Sequence, residues 1–237
     1  MLEVPCVCVH VSHQRPQHIC QHISKNRAPY MPRRIKPGKP ILVPLDLFRP
    51  TQMAVGMRAV AAKREKIESR TDKPRKMMRY LEKRPIPAVL GPNNEIYIID
   101  HHHLSLALWQ SDIPDAFVDI IEDLSHVSPS RFWNRMAADG RIHPFNSSGQ
   151  SVQAAQLPTH VRELASDPYR DLAWSVREAG GFAKTTTPYS EFRWAAYFRR
   201  HIAPSTVRRD FDLAHDQAMW LARSRSAVRL PGFKGEH

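Results

Sequence analysis

The sequence predicts an α+β fold: a small mixed sheet with helices in the first half of the chain, followed by a mainly α-helical C-terminal region. Three observations predict it. Strand-like runs lie only between residues 41 and 122. The turn former Gly91-Pro92-Asn93-Asn94 joins two of them as a hairpin. After Asp123 the apolar residues recur at helical spacing, punctuated by Gly and Pro.

Taken in order, the basic, Pro-rich residues 27–40 read as a linker. Ile41-Leu42-Val43 is a short strand ended by Pro44. Thr51 is placed to cap a helix over residues 52–69, with Val55, Ala59 and Ala62 on one face and Arg58, Lys63, Arg64 and Lys66 on its wetter sides. A second basic helix covers residues 72–83. Strands over 85–90 and 95–100 flank the hairpin turn, a helix follows from the histidines at 101–103, and residues 115–122 form another strand. Ser128-Pro129 opens a helix that Asp139-Gly140 stops. Residues 146–156 form a polar loop, and helices are expected near 158–166, 168–179, 189–201 and 205–224, separated by Gly180-Gly181 and Ala203-Pro204. The expected organisation is a disordered basic leader over 1–37, an α/β domain over 38–125 and a helical region over 126–237 packed on it.

The 237 residues are 42% hydrophobic, and no apolar run approaches the roughly 18 residues that span a bilayer. A cytoplasmic protein is expected, with no membrane partner. Cys6, Cys8 and Cys20, with nearby histidines, lie in the leader at spacings that match no closed zinc site. The net charge of +12 is concentrated in two places. Residues 1–40 carry +6 (seven Lys/Arg against Glu3), and residues 58–84 carry +7 (eleven Lys/Arg against four acids). Segment 58–84 suits a phosphate-bearing partner, nucleic acid included, or reads as a solvated helix face.

Asp100-His101-His102-His103 stands where a strand gives way to a helix. Asp100 is placed to cap that helix, whose first N–H groups have no partners within it and form a ready anion site. Adjacent helical residues are about 100° apart, so the three imidazoles fan around the axis and cannot all bind one metal ion. No metal site is expected. Any one of these rings can equally pack under the sheet as a structural group.

Val43-Pro44-Leu45-Asp46, Arg49-Pro50-Thr51-Gln52, the hairpin and Asp100-His101-His102-His103 together resemble the ParB/sulfiredoxin superfamily. With Asp123-Leu124-Ser125-His126 and Gly180-Gly181-Phe182-Ala183-Lys184, the chain is most similar to the ParB-like nuclease branch, over about residues 40–232. The resemblance implies a ParB/sulfiredoxin-like mixed sheet and a nucleotide or phosphoryl group at the histidine helix start. The box is similar to that of free-serine kinases, with His101 in the glycine place and Leu104 where an arginine would be. Gln52 stands where those kinases carry a glutamate, and glutamine cannot accept a proton from a hydroxyl.

The expected roles follow. Asp100, His101, His102 and His103 form the catalytic group, with His101 or His102 as acid or base. The N–H groups of His102 and His103 hold phosphate, which Arg58 and Lys63 neutralise. Thr51 and Gln52 belong to the same nucleotide site, and Lys184 and Glu191 close it from the helical region. A nucleotide with Mg2+ is the cofactor such chemistry would use. Phe182 and Tyr189 are candidates to stack on a base, and the helically spaced Phe132, Trp133, Trp174, Phe192, Trp194, Tyr197, Phe198 and Trp220 are expected in the core. The implied function is a nucleotide- or phosphate-ester-handling protein: nuclease, nucleotide hydrolase or phosphotransferase. The alternatives are a non-catalytic, partition-like DNA-binding protein and an interaction scaffold.

Overall fold

A computed structural model describes residues 38–235; the leader and its cysteines lie outside the described residues. Strand β1 (Ile41–Pro44) is followed by β2 (Phe48–Pro50) and the two-residue β3 (Ala54–Val55), then helices α1 (Met57–Glu68) and α2 (Pro74–Glu82). The hairpin strands β4 (Ile86–Leu90) and β5 (Ile96–Ile98) lead into α3 (His102–Gln110) and β6 (Asp115–Asp123). The sheet order is β1-β6-β4-β5-β2. Its outer and hairpin pairs, β1–β6 and β4–β5, are antiparallel, while β4–β6 and β2–β5 are parallel. Alternation is plain in β6, where Ala116, Val118 and Ile120 are buried and their neighbours are not. Leu104, Leu106, Ala107 and Leu108 of α3 are also fully or almost fully buried.

The remaining helices are α4 (Pro129–Ala138), α5 (Pro168–Glu178), α6 (Ser190–His201), α7 (Pro204–Arg209) and α8 (Phe211–Leu221), eight in all among the described residues. Ser128 caps α4 by accepting the Arg131 N–H. A core of Leu172, Val176, Trp194, Phe198 and the small residues Ala214 and Ala218 joins α5, α6 and α8. The α+β class expected from the sequence is present.

Two connections lock this helical region to the sheet region. Strand β7 (Ala165–Ser166) pairs in parallel with β3. Asp171 of α5 accepts the N–H groups of Met57, Arg58 and Ala59, at 3.0, 2.7 and 3.4 Å. The helix α1 is thus capped by a carboxylate from another helix, which satisfies donors that α1 leaves open. Gly56, its N-cap residue, offers no side chain, and a Cβ there would lie 2.5 Å from Asp171 Oδ1.

Three local expectations are corrected. Thr51 does not cap a helix over 52–69: residues 54–55 are extended, α1 begins at Met57, and the Thr51 hydroxyl instead donates to the Ile98 carbonyl at 2.8 Å. Residues 158–166 form a single 3-10 turn and β7 in place of a helix. The span 205–224 is broken at Asp210, whose carboxylate accepts the Leu213 N–H and so starts α8 as a separate helix.

Candidate functional site

The histidine box is built by an unusual backbone turn. After β5, Asp100 is exposed and its Oδ1 accepts the N–H of His101 at 2.6 Å. His101 is left-handed, at φ +62°, and is itself the N-cap residue of α3, with no side-chain cap bond. This corrects the expected cap: the turn moves the helix start one residue on, and the Asp100 carboxylate is engaged by His101 instead. A left-handed conformation favours glycine, and His101 occupies the place that the kinase-like box gives to glycine. The His101 carbonyl accepts from Ser105 N and Oγ, at 2.9 and 3.1 Å. Its Nδ1 is buried without a hydrogen-bond partner. Burial lowers its pKa, with Asp100 opposing.

His102 and His103 are both held by backbone donors. The His102 ring is buried, and its Nε2 accepts the Thr51 N–H at 3.1 Å. Burial, then the charges of Arg170 and His101, push its pKa down to about 3 against a hydrogen bond to the Ile98 backbone. The ring is thus uncharged at neutral pH and fixed by the Thr51 N–H. His103 Nε2 accepts the Gly56 N–H at 3.2 Å, and burial, followed by Arg170 and Lys63, keeps its pKa well below the usual histidine range. With Nε2 occupied as an acceptor, the neutral ring carries its proton on Nδ1.

His103 and Asp100 line one side of a cleft of about 270 Å³. The other side comes from the helical region: Arg170 and Arg177 of α5, Lys184, the hydroxyl residues Thr185, Thr187 and Ser190, and Glu191. The structure therefore brings Lys184 and Glu191 to the same cleft as Asp100 and His103. Glu191 pairs with Arg177, which also meets Glu178 at 2.7 Å. Lys63 lies half-buried near Asp100, its pKa lowered mainly by burial.

Arg170 stands apart from these paired groups. It is 5% exposed, with its guanidinium 3.4 Å over the Phe192 ring, and its Nε and Nη1 are buried with no hydrogen-bond partner. The two carboxylates nearest it in sequence are committed elsewhere. Asp167 pairs with Arg199 at 2.6 Å and caps α5 through the Tyr169 N–H, while Asp171 caps α1. Burial brings the Arg170 pKa down to about 10, with Asp167 and Asp171 opposing, so it stays cationic at neutral pH. A buried cation without a close partner is costly, and native chains rarely leave one unexplained.

Other expected site residues fall outside the cleft lining. Thr51 and Gln52 are buried behind the box, Gln52 bridging to the backbone of His143. The Arg58 guanidinium lies 3.6 Å over the Phe211 ring of α8 and does not join Lys63 at the box. Phe182 is core, stacked on Trp194 at 4.3 Å, and is not a free stacking surface. Tyr189, left-handed at φ +56°, does line the cleft. Trp220 is 63% exposed rather than in the core. Sequence reasoning missed Arg170 and Arg177, which lie two turns apart on one stripe of α5. That spacing was the available signal. Among the described residues, no group of three or more His, Cys, Asp or Glu is placed to hold a metal ion. No helix there is long and apolar enough to cross a membrane.

The model of one protein family, described as "Putative ParB-like nuclease", matches residues 41–200. No curated protein matches the chain. Among solved structures, the crystal structure of protein Atu1540 from Agrobacterium tumefaciens is 37% identical, covering 84% of this chain and 100% of that one, with a TM-score of 0.75. The match spans both the histidine box and the arginine-bearing wall that faces it, and by it the chain belongs to the ParB-like nuclease family.

Proposed function

We propose that the cleft between His103 and residues 177–191 binds the phosphate of a nucleotide or phosphate ester, and that the protein processes that ester as a nuclease, nucleotide hydrolase or phosphotransferase. The observation that carries this reading is the cationic Arg170, which lines the cleft with Nε and Nη1 buried and without a hydrogen-bond partner. A phosphate is a natural counter-ion for such a group. Lys184 adds a second cation, and Thr185, Thr187 and Ser190 offer hydroxyls to the remaining oxygens. His103 contributes a neutral Nδ1–H donor. The box has Leu104 where its relatives carry arginine, and in this reading α5 supplies that charge instead.

Phosphoryl chemistry needs mainly positioning and charge stabilisation, which Arg170, Lys184 and the hydroxyls provide together. Asp100, whose Oδ1 is held by His101 N–H, is the carboxylate placed to orient or deprotonate an attacking water or hydroxyl. A Mg2+ ion arriving with a nucleotide would find only Asp100 not already ion-paired, because Glu191 is tied to Arg177.

Crystals soaked in phosphate, or in tungstate for its anomalous signal, test the reading. Density is expected within hydrogen-bond reach of Arg170, Lys184 and His103. Density at other sites only would overturn it.

One observation favours a nucleic-acid reading in addition. The helix α2 buries Met77, Tyr80 and Leu81 and exposes Arg75, Lys76 and Arg79. Such a face follows a phosphate backbone, as a nuclease or a partition-like DNA-binding protein would require. Replacing the three by Ala should weaken binding to any duplex and flatten its salt dependence. An unchanged salt slope would exclude this face.

A further inference from the structure

A second chamber, of about 330 Å³, lies beside the phosphate cleft between residues 143–149 and α6. Arg170, Tyr189 and Phe192 line both spaces, so the two meet at the unpartnered guanidinium. The chamber differs from the cleft in kind, because rings form its walls. His143 lies 3.9 Å from Phe192 and 4.7 Å from Phe145 between ring centroids, and stacks on Tyr189 at 5.4 Å. Burial, then Arg170 and Arg199, push the His143 pKa down to about 4, which makes this wall uncharged at neutral pH.

Polar groups around the chamber are largely committed to the protein. Arg199 is held by Asp167 and by the Ser147 carbonyl, at 2.6 and 3.2 Å. The Asn146 side chain bonds to Gln150 and to the backbone N–H groups of Ser148 and Gln150. What the chamber offers a ligand is therefore aromatic surface, with the Arg170 cation at the shared edge and Arg193 on its α6 side. Its volume falls in the range of small-molecule pockets, about 300–1,000 Å³.

We infer that the chamber is the ring subsite of the ligand whose phosphate lies at Arg170, so that the ligand is a compact phosphate monoester carrying a planar ring. This rests on the phosphate reading of the cleft and goes beyond it by naming the organic part. Free phosphate and sugar phosphates leave the chamber unfilled. Duplex nucleic acid cannot fill it either, because its bases are already paired and stacked. Nucleoside monophosphates and non-nucleotide aryl phosphates share the required chemistry.

Calorimetric titration of the full chain with inorganic phosphate, ribose 5-phosphate, phenyl phosphate and adenosine monophosphate tests this. Both ring compounds should bind at least about tenfold tighter than ribose 5-phosphate, in line with the usual strength of base stacking on aromatic side chains. Adenosine monophosphate well above phenyl phosphate would identify the ring as a nucleobase. The reverse order would identify a simple aryl group. Phe145→Ala, at a ring already 39% exposed, should remove most of the preference and leave ribose 5-phosphate affinity unchanged. Ring compounds binding no tighter than ribose 5-phosphate, or a preference that survives Phe145→Ala, would overturn the ring subsite while sparing the phosphate site. Failure of all four compounds to bind would overturn both.

Discussion

The two walls of the cleft handle their polar groups in opposite ways. On the sheet side, His103 and the buried His102 behind it are neutral and each Nε2 is taken by a backbone N–H, from Gly56 and Thr51 respectively. On the helical side, Arg170 is charged and buried, and its neighbouring carboxylates serve Arg199 and the start of α1. The first wall is an example of satisfied burial, whereas the second leaves a charge waiting for a partner. The conspicuous motif and the unpartnered charge thus lie on different elements. The imidazoles are fixed by backbone donors, and in the proposed reading the guanidinium holds the anion.

If the sheet-side wall is structural, His102→Ala should cost stability first. It would leave the Thr51 N–H without its acceptor and open a cavity under the box, a loss of about 3–5 kcal/mol in urea unfolding. A folded, stable His102→Ala protein that had merely lost activity would return this ring to the catalytic group.

Acid should separate the same two walls. The folded pKa of His102 is about 3 and that of His143 about 4, and His103 is also held well below the usual value of 6.5. The unfolded chain therefore takes up these protons first as pH falls. Stability that depends on the neutral rings is complete above about pH 6.5 and is lost progressively below it, with about three protons taken up by these rings on unfolding near pH 5. Asp171, raised by burial, works in the opposite sense at lower pH. Melting temperatures that stay flat from pH 7 to pH 4.5 would show that the rings are solvated instead.

A smaller effect is expected at the turn between the walls. His101→Gly relieves a left-handed side chain and removes the buried, unpartnered Nδ1, and should stabilise the fold by about 0.5–1 kcal/mol. A loss of stability, measured by denaturant titration, would mean that the ring packs more favourably than its strain costs.

Much of this architecture was legible in the sequence. The hairpin follows from Gly91-Pro92-Asn93-Asn94 between two apolar runs, and Ser128-Pro129 marks α4. The short strands β2 and β3 were not legible, because two or three residues carry no measurable period and their pairing partners, β5 and β7, are distant in sequence. The break at Asp210 was missed because no Gly or Pro announces it. The histidine box, Lys184 and Glu191 could all be singled out by position. Arg170 was masked: its two-turn spacing to Arg177 was visible, but Asp167 three residues before it and Asp171 beside it look like partners. Only the fold shows that both are bonded elsewhere.

Arg170→Met tests the central claim most directly, because methionine keeps an apolar contact with Phe192 while removing the buried charge. Thermal melting of both proteins, with and without phosphate, is the measurement. The wild type should gain melting temperature from phosphate, whereas Arg170→Met should melt about 3–6 °C higher without ligand and gain nothing from it. A variant that melts lower than wild type yet is still stabilised by phosphate would contradict the account, placing the anion elsewhere and making Arg170 a structural residue.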